Sequence, residues 1–241
     1  MTETAKDIQR LRQEYQARAN RLRGMSPYSF FNPSHLFIIQ QRERKILDLL
    51  RYFGEDELSE KRILEIGCGN GAVLLDLVRY GADPCRVWGI DLIYNRLKKA
   101  KEVLTSGKFL SGDGQSLPFQ PQSFDLLLQF TAFSSILDPK IKQNMAAEML
   151  RVLKPGGVIL WYDFWWNPTN PQTVGVKPKE IKVLFSNCEY VFQKITLAPP
   201  LARRIVPISW QLAVLLESLK LFNSHYLVLI KKSDQILERL N

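Results

Sequence analysis

The stretch ILEIGCGNG, residues 63–71, constrains the fold more than any other part of the chain. Four residues with the character of a buried strand run directly into Gly67, Gly69 and Gly71. Glycines at a strand-to-helix handover mean that the backbone must adopt a conformation a Cβ disfavours, or that something must approach it closely. A tight turn meets that need, and so does a nucleotide-like ligand lying against bare backbone. With Ala72 the same letters also fit the dinucleotide fingerprint G-x-G-x-x-G/A, which short glycine patterns match by chance. The surrounding residues must decide.

After Gly54, short apolar runs alternate with helical stretches. Ile63–Ile66, Val87–Ile90, Phe109–Leu110, Phe124–Phe130 and Val158–Phe164 read as strands, and 70–80, 93–105 and 139–153 as the helices between them. That rhythm predicts βαβ units, hence an α/β fold with a mostly parallel sheet and helices on both faces. Further on, 189–197 reads as a strand, 209–222 as an apolar helix and Tyr226–Lys231 as a last strand, so 199–224 is expected to be a helical insertion. Upstream, Ile8, Leu11, Tyr15 and Leu22 recur at helical spacing over 4–23, and Gly24, Pro27 and Asn32-Pro33 end that helix. Ser34 is the expected cap of a second helix from about His35 through Tyr52. The expected organisation is a helical N-terminal lid over 1–54 and a ligand-binding domain over 55–241.

The 241 residues, 46% hydrophobic and 24% charged, suffice for one large α/β domain. The formal charge is +9, and residues 177–241 carry ten Lys/Arg against five Asp/Glu. An anionic partner or surface accounts for this, and so do solvated lysines. Cys68, Cys85 and Cys188 have no C-x-x-C or metal-like spacing, so no metal is expected. MTETAKDIQRL has no apolar signal core and no uninterrupted apolar run approaches a membrane span, which makes the cytoplasm the expected compartment.

Three features separate the readings of the glycine loop. Glu65, near the end of the first strand, can accept from a cationic ligand. Asp91 closes the second strand in VWGIDL, twenty-two residues past Gly69, where it can accept from both hydroxyls of a ribose. Asp113 follows the third strand in SGDGQSLPF, where a carboxylate can take an adenine amino group. With FDLLLQF and EMLRVLKPGGVILWYDF, these residues resemble the class I S-adenosylmethionine-dependent methyltransferases from about Lys61 to Phe164. The resemblance implies a Rossmann-like sheet of seven strands, mostly parallel with an antiparallel last strand, and S-adenosylmethionine as cofactor. Carried across, Glu65, Gly67, Cys68, Gly69, Asn70 and Gly71 would hold the methionine end. Asp91 and Leu92 would hold the ribose, Asp113, Gly114 and Gln115 the adenine, and Gln129 with Phe130 would flank the sulfonium. A dinucleotide dehydrogenase predicts neither GDGQSLPF nor the Pro155-Gly156-Gly157 turn.

Methyl transfer from a sulfonium needs an acceptor held in line, water excluded and, for a hydroxyl or amine, somewhere for a proton to go. His35 and His225 are the only histidines. His225, expected just before an antiparallel last strand, would start on the cofactor rim and is the first candidate base; Asp163, closing the fifth strand, is the second. Trp165 and Trp166 follow on the same rim and can stack on a sugar or planar ring. Arg203 and Arg204 in the insertion suit an anionic group, and His35 in the lid either lines the acceptor site or caps and packs. In place of the Asn/Asp-Pro-Pro-aromatic motif of the base- and amide-methylating members, the chain has Gln129-Phe130-Thr131, which disfavours nucleic acid as a partner. The expected reaction is O-methylation of a small-molecule or glycan-like hydroxyl. N-methylation of a small molecule or peptide, or a catalytically silent cofactor-binding scaffold, are the alternatives. The helix with Arg203 and Arg204 either closes the core or rests on the inner face of a membrane.

Overall fold

The structure, a computed structural model, describes residues 3–21, 28–168 and 170–232. Leu22, Gly24 and Pro27 lie outside them. Seven strands form one sheet in the order β3-β2-β1-β4-β5-β7-β6. They are β1 (Ile63–Ile66), β2 (Val87–Asp91), β3 (Lys108–Ser111), β4 (Phe124–Phe130), β5 (Leu153–Phe164), β6 (Cys188–Leu197) and β7 (Asn223–Lys232). The neighbours from β3 to β5 pair in parallel, while β7 runs antiparallel to both β5 and β6. The Rossmann-like sheet with one reversed strand is therefore as the motifs implied.

Why β1 is a strand is plain from its burial. All four of its residues are buried, as expected of a central parallel strand with a layer on each face. Alternation along the strands divides the core in two. Ile63, Leu126, Leu128, Leu160 and Leu229 face α2 (Pro33–Tyr52), α3 (Ala72–Arg79) and α4 (Tyr94–Val103), while Leu64, Leu127, Ile159, Trp161 and Val228 face α5 (Pro139–Val152) and α6 (Pro178–Leu184). The short helix α6 had no expectation from the sequence. The fifth strand begins at Leu153 rather than Val158 and takes up the Pro155-Gly156-Gly157 stretch, where its register with β4 shifts between Phe124 and Leu126.

Helix α1 (Glu3–Arg21) is tied to the loop after β4. Asp7 Oδ2 accepts from the Leu137 and Asp138 amides at 2.9 and 3.1 Å, and Arg10 donates to the Ser135 carbonyl at 2.6 Å. The cap of α2 is Asn32, whose Oδ1 accepts from the Ser34 amide at 3.0 Å, with Pro33 in the first turn. Ser34 is thus inside the helix rather than its cap, buried, and donates its hydroxyl to the Ala202 carbonyl at 3.2 Å. The insertion consists of two helices in place of the single one expected, α7 (Pro199–Ile205) and α8 (Trp210–Ser218). Phe37 of α2, Leu197, Ala202, Val206 and Ala213 form a satellite core beneath them. Asn32→Ala should lower unfolding free energy by about 1 kcal/mol in a urea titration, because an amide at the start of α2 loses its acceptor.

Candidate active site

Two cavities open at the carboxyl ends of the parallel strands, where an open α/β sheet takes its ligands. The first is lined by Gly67, Asp91, Leu92, Asp113, Gly114 and Phe130, with Ile8, Leu11 and Tyr15 of α1 along one side. Gly67 and Gly69 have φ of +74° and +57°, the left-handed region that glycine enters without a steric cost. At Gly69 a Cβ would collide with the Arg96 guanidinium, and at Gly67 it would come within 2.8 Å of the Ala132 Cβ. The loop is a cradle that side chains already crowd.

Asp91 organises this cradle. Its Oδ2 accepts from the Gly69 amide at 2.8 Å and lies 3.4 Å from Arg96 Nη1; its Oδ1 accepts from the Ile93 amide at 2.8 Å. Arg96 in turn lies 4.8 Å above the Tyr15 ring. Glu65 is buried, and its Oε2 has no hydrogen-bond partner among the described residues. Burial pushes its carboxyl well above the usual carboxylate range, while the Arg42 guanidinium pulls it back. Arg42 Nε is likewise buried without a partner. Glu65 Oε2 and Arg42 Nε, on the side of the sheet that carries Phe130 and Tyr162, suit the amino and carboxylate groups of an amino-acid ligand, while Arg42 Nη2 lies 3.7 Å from Asp76 Oδ2. Asp113 accepts from the Gln115 amide and side chain at 2.9 and 3.0 Å. The residues present therefore fit S-adenosylmethionine.

Of the expected cofactor set, Glu65, Cys68, Gly69, Asn70, Gly71, Gln115 and Gln129 do not line this cavity. Cys68 is buried against Gly89, and burial raises its thiol. Asn70 is exposed. Gln115 acts through Asp113. Gln129 turns to the other face of the sheet, donating to Asp163 Oδ2 at 3.0 Å and accepting from the Ala132 amide at 2.7 Å. Alternation explains this, since Phe130 and Gln129 must point to opposite faces.

The second cavity, of about 960 Å³, lies between α2, β5, β7 and α7. His35, Arg42, Tyr162, Trp165, Trp166, Arg203 and His225 line it, and Arg204 does not. His225 lies within β7, opposite Phe164, rather than before the strand. That register buries it to 3% exposure and stacks it parallel to Tyr162 at 4.6 Å. Burial, with Arg42 adding to it, pushes the imidazole down to about 3. Its Nδ1 is 2.9 Å from Ser224 Oγ, which is itself 3.5 Å from the Thr196 carbonyl. If the serine hydroxyl turns to that carbonyl, Nδ1 donates to Oγ and Nε2 is the acceptor; if it turns to Nδ1, the roles of the two nitrogens reverse.

Asp163 lines neither cavity among the described residues. It points to the face opposite His225 and accepts from the Ser134 and Phe164 amides at 3.0 and 2.8 Å as well as from Gln129. Burial raises its carboxyl to about 6 against those bonds. Its observed work is to hold the loop after β4. That loop contains Thr131, which lines both cavities and carries a φ of +58°. A β-branched residue in the left-handed region is strained, and such strain concentrates at functional sites. Position directly after the fourth strand was its only sequence signal; Arg42 had none beyond helical spacing.

The site is split, a cradle on the Rossmann-like sheet and a wider chamber that share Thr131 in their linings. Residues 63–157 match the family model of a methyltransferase domain, and the cofactor that such a domain and this cradle indicate is S-adenosylmethionine. The chain is 37% identical over 116 residues to phthiotriol/phenolphthiotriol dimycocerosates methyltransferase 1 of Mycobacterium ulcerans, a match covering 47% of this chain and 41% of that protein. It is 28% identical to norajmaline N-methyltransferase of Rauvolfia serpentina, over 61% of this chain and 51% of that one. A solved methyltransferase from Methanosarcina mazei shares the fold at a TM-score of 0.56 and 20% identity, over 76% of this chain and 96% of its own. The matches thus span about half or less of the length of these curated relatives.

Proposed function

We propose that the chain methylates a hydroxyl of a small-molecule or glycan-like acceptor, using S-adenosylmethionine. The observation that carries this reading is the junction of the two cavities at Thr131. The cofactor supplies an activated methyl group, so the protein has only to position, exclude water and manage a proton. In this reading Asp91 holds the ribose and Asp113 with Gly114 the adenine. Glu65 and Arg42 take the charged amino-acid end. Phe130 and Tyr162 exclude water from the junction, and residues 1–54 serve as the lid.

Toward the acceptor, His225 takes the proton at Nε2 as the bond to oxygen forms. Trp165 and Trp166 give a face for a ring, and Arg203 binds an anionic group at the mouth. The segment 199–224 brings the chain to a membrane face. A base held at about 3 is a weak partner for an alcohol, and this favours N-methylation as the second reading, since a neutral amine attacks through its lone pair without a base.

Calorimetry and labelled cofactor test the proposal together. S-adenosylhomocysteine should give heat, and incubation with methyl-labelled cofactor and cell extract should place label in a small-molecule or glycan fraction. Binding without transfer to any fraction would leave a silent scaffold, and no binding at all would overturn the reading.

A further inference from the structure

Among the described residues, many of the exposed apolar side chains fall on α8, the turn after it and the 28–31 corner. On α8 and the turn after it, Leu212, Leu215, Leu219, Leu221 and Phe222 are 41%, 57%, 51%, 72% and 45% exposed, and Ile208 just before the helix is 80% exposed. Leu212, Leu215 and Leu219 fall on one helical stripe. The opposite stripe is already used: Ala213 is fully buried in the satellite core, and Trp210 packs edge-on against Phe37 at 5.1 Å. The outer stripe is therefore not a core face with its partner missing from the fold. Leu221 and Phe222 also line the large cavity, so the stripe runs into its mouth.

Across that mouth stand aromatic residues. Tyr28 and Trp166 line the cavity and are 48% and 54% exposed, and beside Tyr28 are Phe30 at 60% and Phe31 at 99%. Exposed aromatic and aliphatic side chains at one opening, Tyr28, Trp166, Leu221 and Phe222, are the composition of a surface that enters the boundary between headgroups and acyl chains. The charges select among occupants. The exposed ionisable residues of 199–222 are Arg203, Arg204 and Lys220, all basic, while the one acid, Glu217, is turned inward and accepts from the Thr196 amide at 2.8 Å. A second copy docking by the same face would oppose cation to cation. An anionic bilayer satisfies both the leucines and the arginines.

We propose that the outer face of α8, with the Leu221-Phe222 turn and the Phe30-Phe31 corner, docks on an anionic lipid surface. The large cavity then opens toward the bilayer and takes an amphiphilic acceptor from it. The docking deepens the proposed function and rests on it in one respect, that the large cavity receives the acceptor.

The test is co-sedimentation with vesicles of phosphatidylcholine alone or mixed with phosphatidylglycerol. The wild type should pellet with the mixed vesicles and less with the neutral ones, and salt should weaken the binding. Leu215→Asp and Leu219→Asp should each reduce the partition constant about tenfold, as expected for withdrawing a leucine from an apolar phase. Arg203→Glu and Arg204→Glu should each cost at least about fivefold. Val183→Asp, at a position on α6 that is 72% exposed, should change nothing. Quenching of wild-type tryptophan emission by lipids brominated on the acyl chain needs no substitution and should accompany the pelleting. The proposal is overturned if the wild type ignores the mixed vesicles, if the leucine variants pellet as the wild type does, or if Val183→Asp loses as much as they do. Sedimentation of a dimer that the leucine variants dissolve, with no vesicle binding, would assign the face to a second copy and also overturn it. S-adenosylhomocysteine calorimetry on Leu215→Asp should match the wild type, so failed docking and a failed methyltransferase reading are told apart.

Discussion

His225→Ala is expected to lower turnover by about a hundredfold to ten-thousandfold, the usual cost of losing a general base, with S-adenosylhomocysteine bound as before. The separation of effects follows from geometry, because His225 lines the large cavity and is absent from the cradle that holds Asp91 and Asp113. The pH profile makes the assignment sharper. An imidazole held at about 3 is neutral throughout the neutral range, so His225 should add no inflection to the rate from about pH 5 upward. Stability should respond instead. The unfolded chain takes up a proton at His225 as pH falls below 6.5, and the folded chain does so only near 3, so this residue costs stability progressively as pH falls through that window. Asp163 works the other way. Its folded value of about 6 lies above the ordinary 3.8, so its contribution is full below 3.8 and is lost as pH rises through 6. The His225→Ala enzyme should therefore lose less stability on acidification than the wild type, as measured by urea titration at each pH. Wild-type turnover in the variant would sink the base assignment and leave positioning alone to carry the reaction.

Periodicity made the sheet legible, because β1, β2 and β4 are short, largely apolar and mostly buried runs. Ile63–Ile66 and Phe124–Phe130 match the observed bounds. What escaped was set by tertiary contacts. The α2 cap went to Asn32 rather than Ser34 because Ser34 is buried against α7, a partner far along the chain. His225 moved into β7 because that strand pairs out to Asn223, and no local signal marks where a ladder ends. The cofactor cradle was legible for the same reason the sheet was: Asp91 closes a strand, and Gly67 and Asp113 stand just beyond one. Gln129 and Asp163 were read at the correct rim but on the wrong face. Counting along the strand from Phe130 would have found it, since alternate residues cannot share a face. Arg42 and Thr131 belong to the site through packing and strain, neither of which has a spelling.

Asp91→Ala should weaken S-adenosylhomocysteine binding by about tenfold to a hundredfold or slightly more, the range for losing hydrogen bonds to a charged acceptor. The carboxylate has two roles that the variant removes together. It fixes the loop through the Gly69 and Ile93 amides, and in the proposed function it receives the ribose hydroxyls. Asp91→Asn separates them. The amide oxygen can keep the Ile93 bond, while the amide nitrogen faces the Gly69 N–H and has no charge to offer. Arg96 supplies a control, since its guanidinium lies over Gly69 and beside Asp91. If it merely covers the cradle, Arg96→Ala should bind as well as the wild type or better, because nothing must be displaced. If it is itself a ligand group, Arg96→Ala should weaken binding as Asp91→Ala does. Asp91→Ala binding within twofold of the wild type by calorimetry would remove the ribose from this carboxylate. The bonds to Gly69 and Ile93 would then be its whole purpose, and a fall in urea midpoint without a fall in affinity would be its signature.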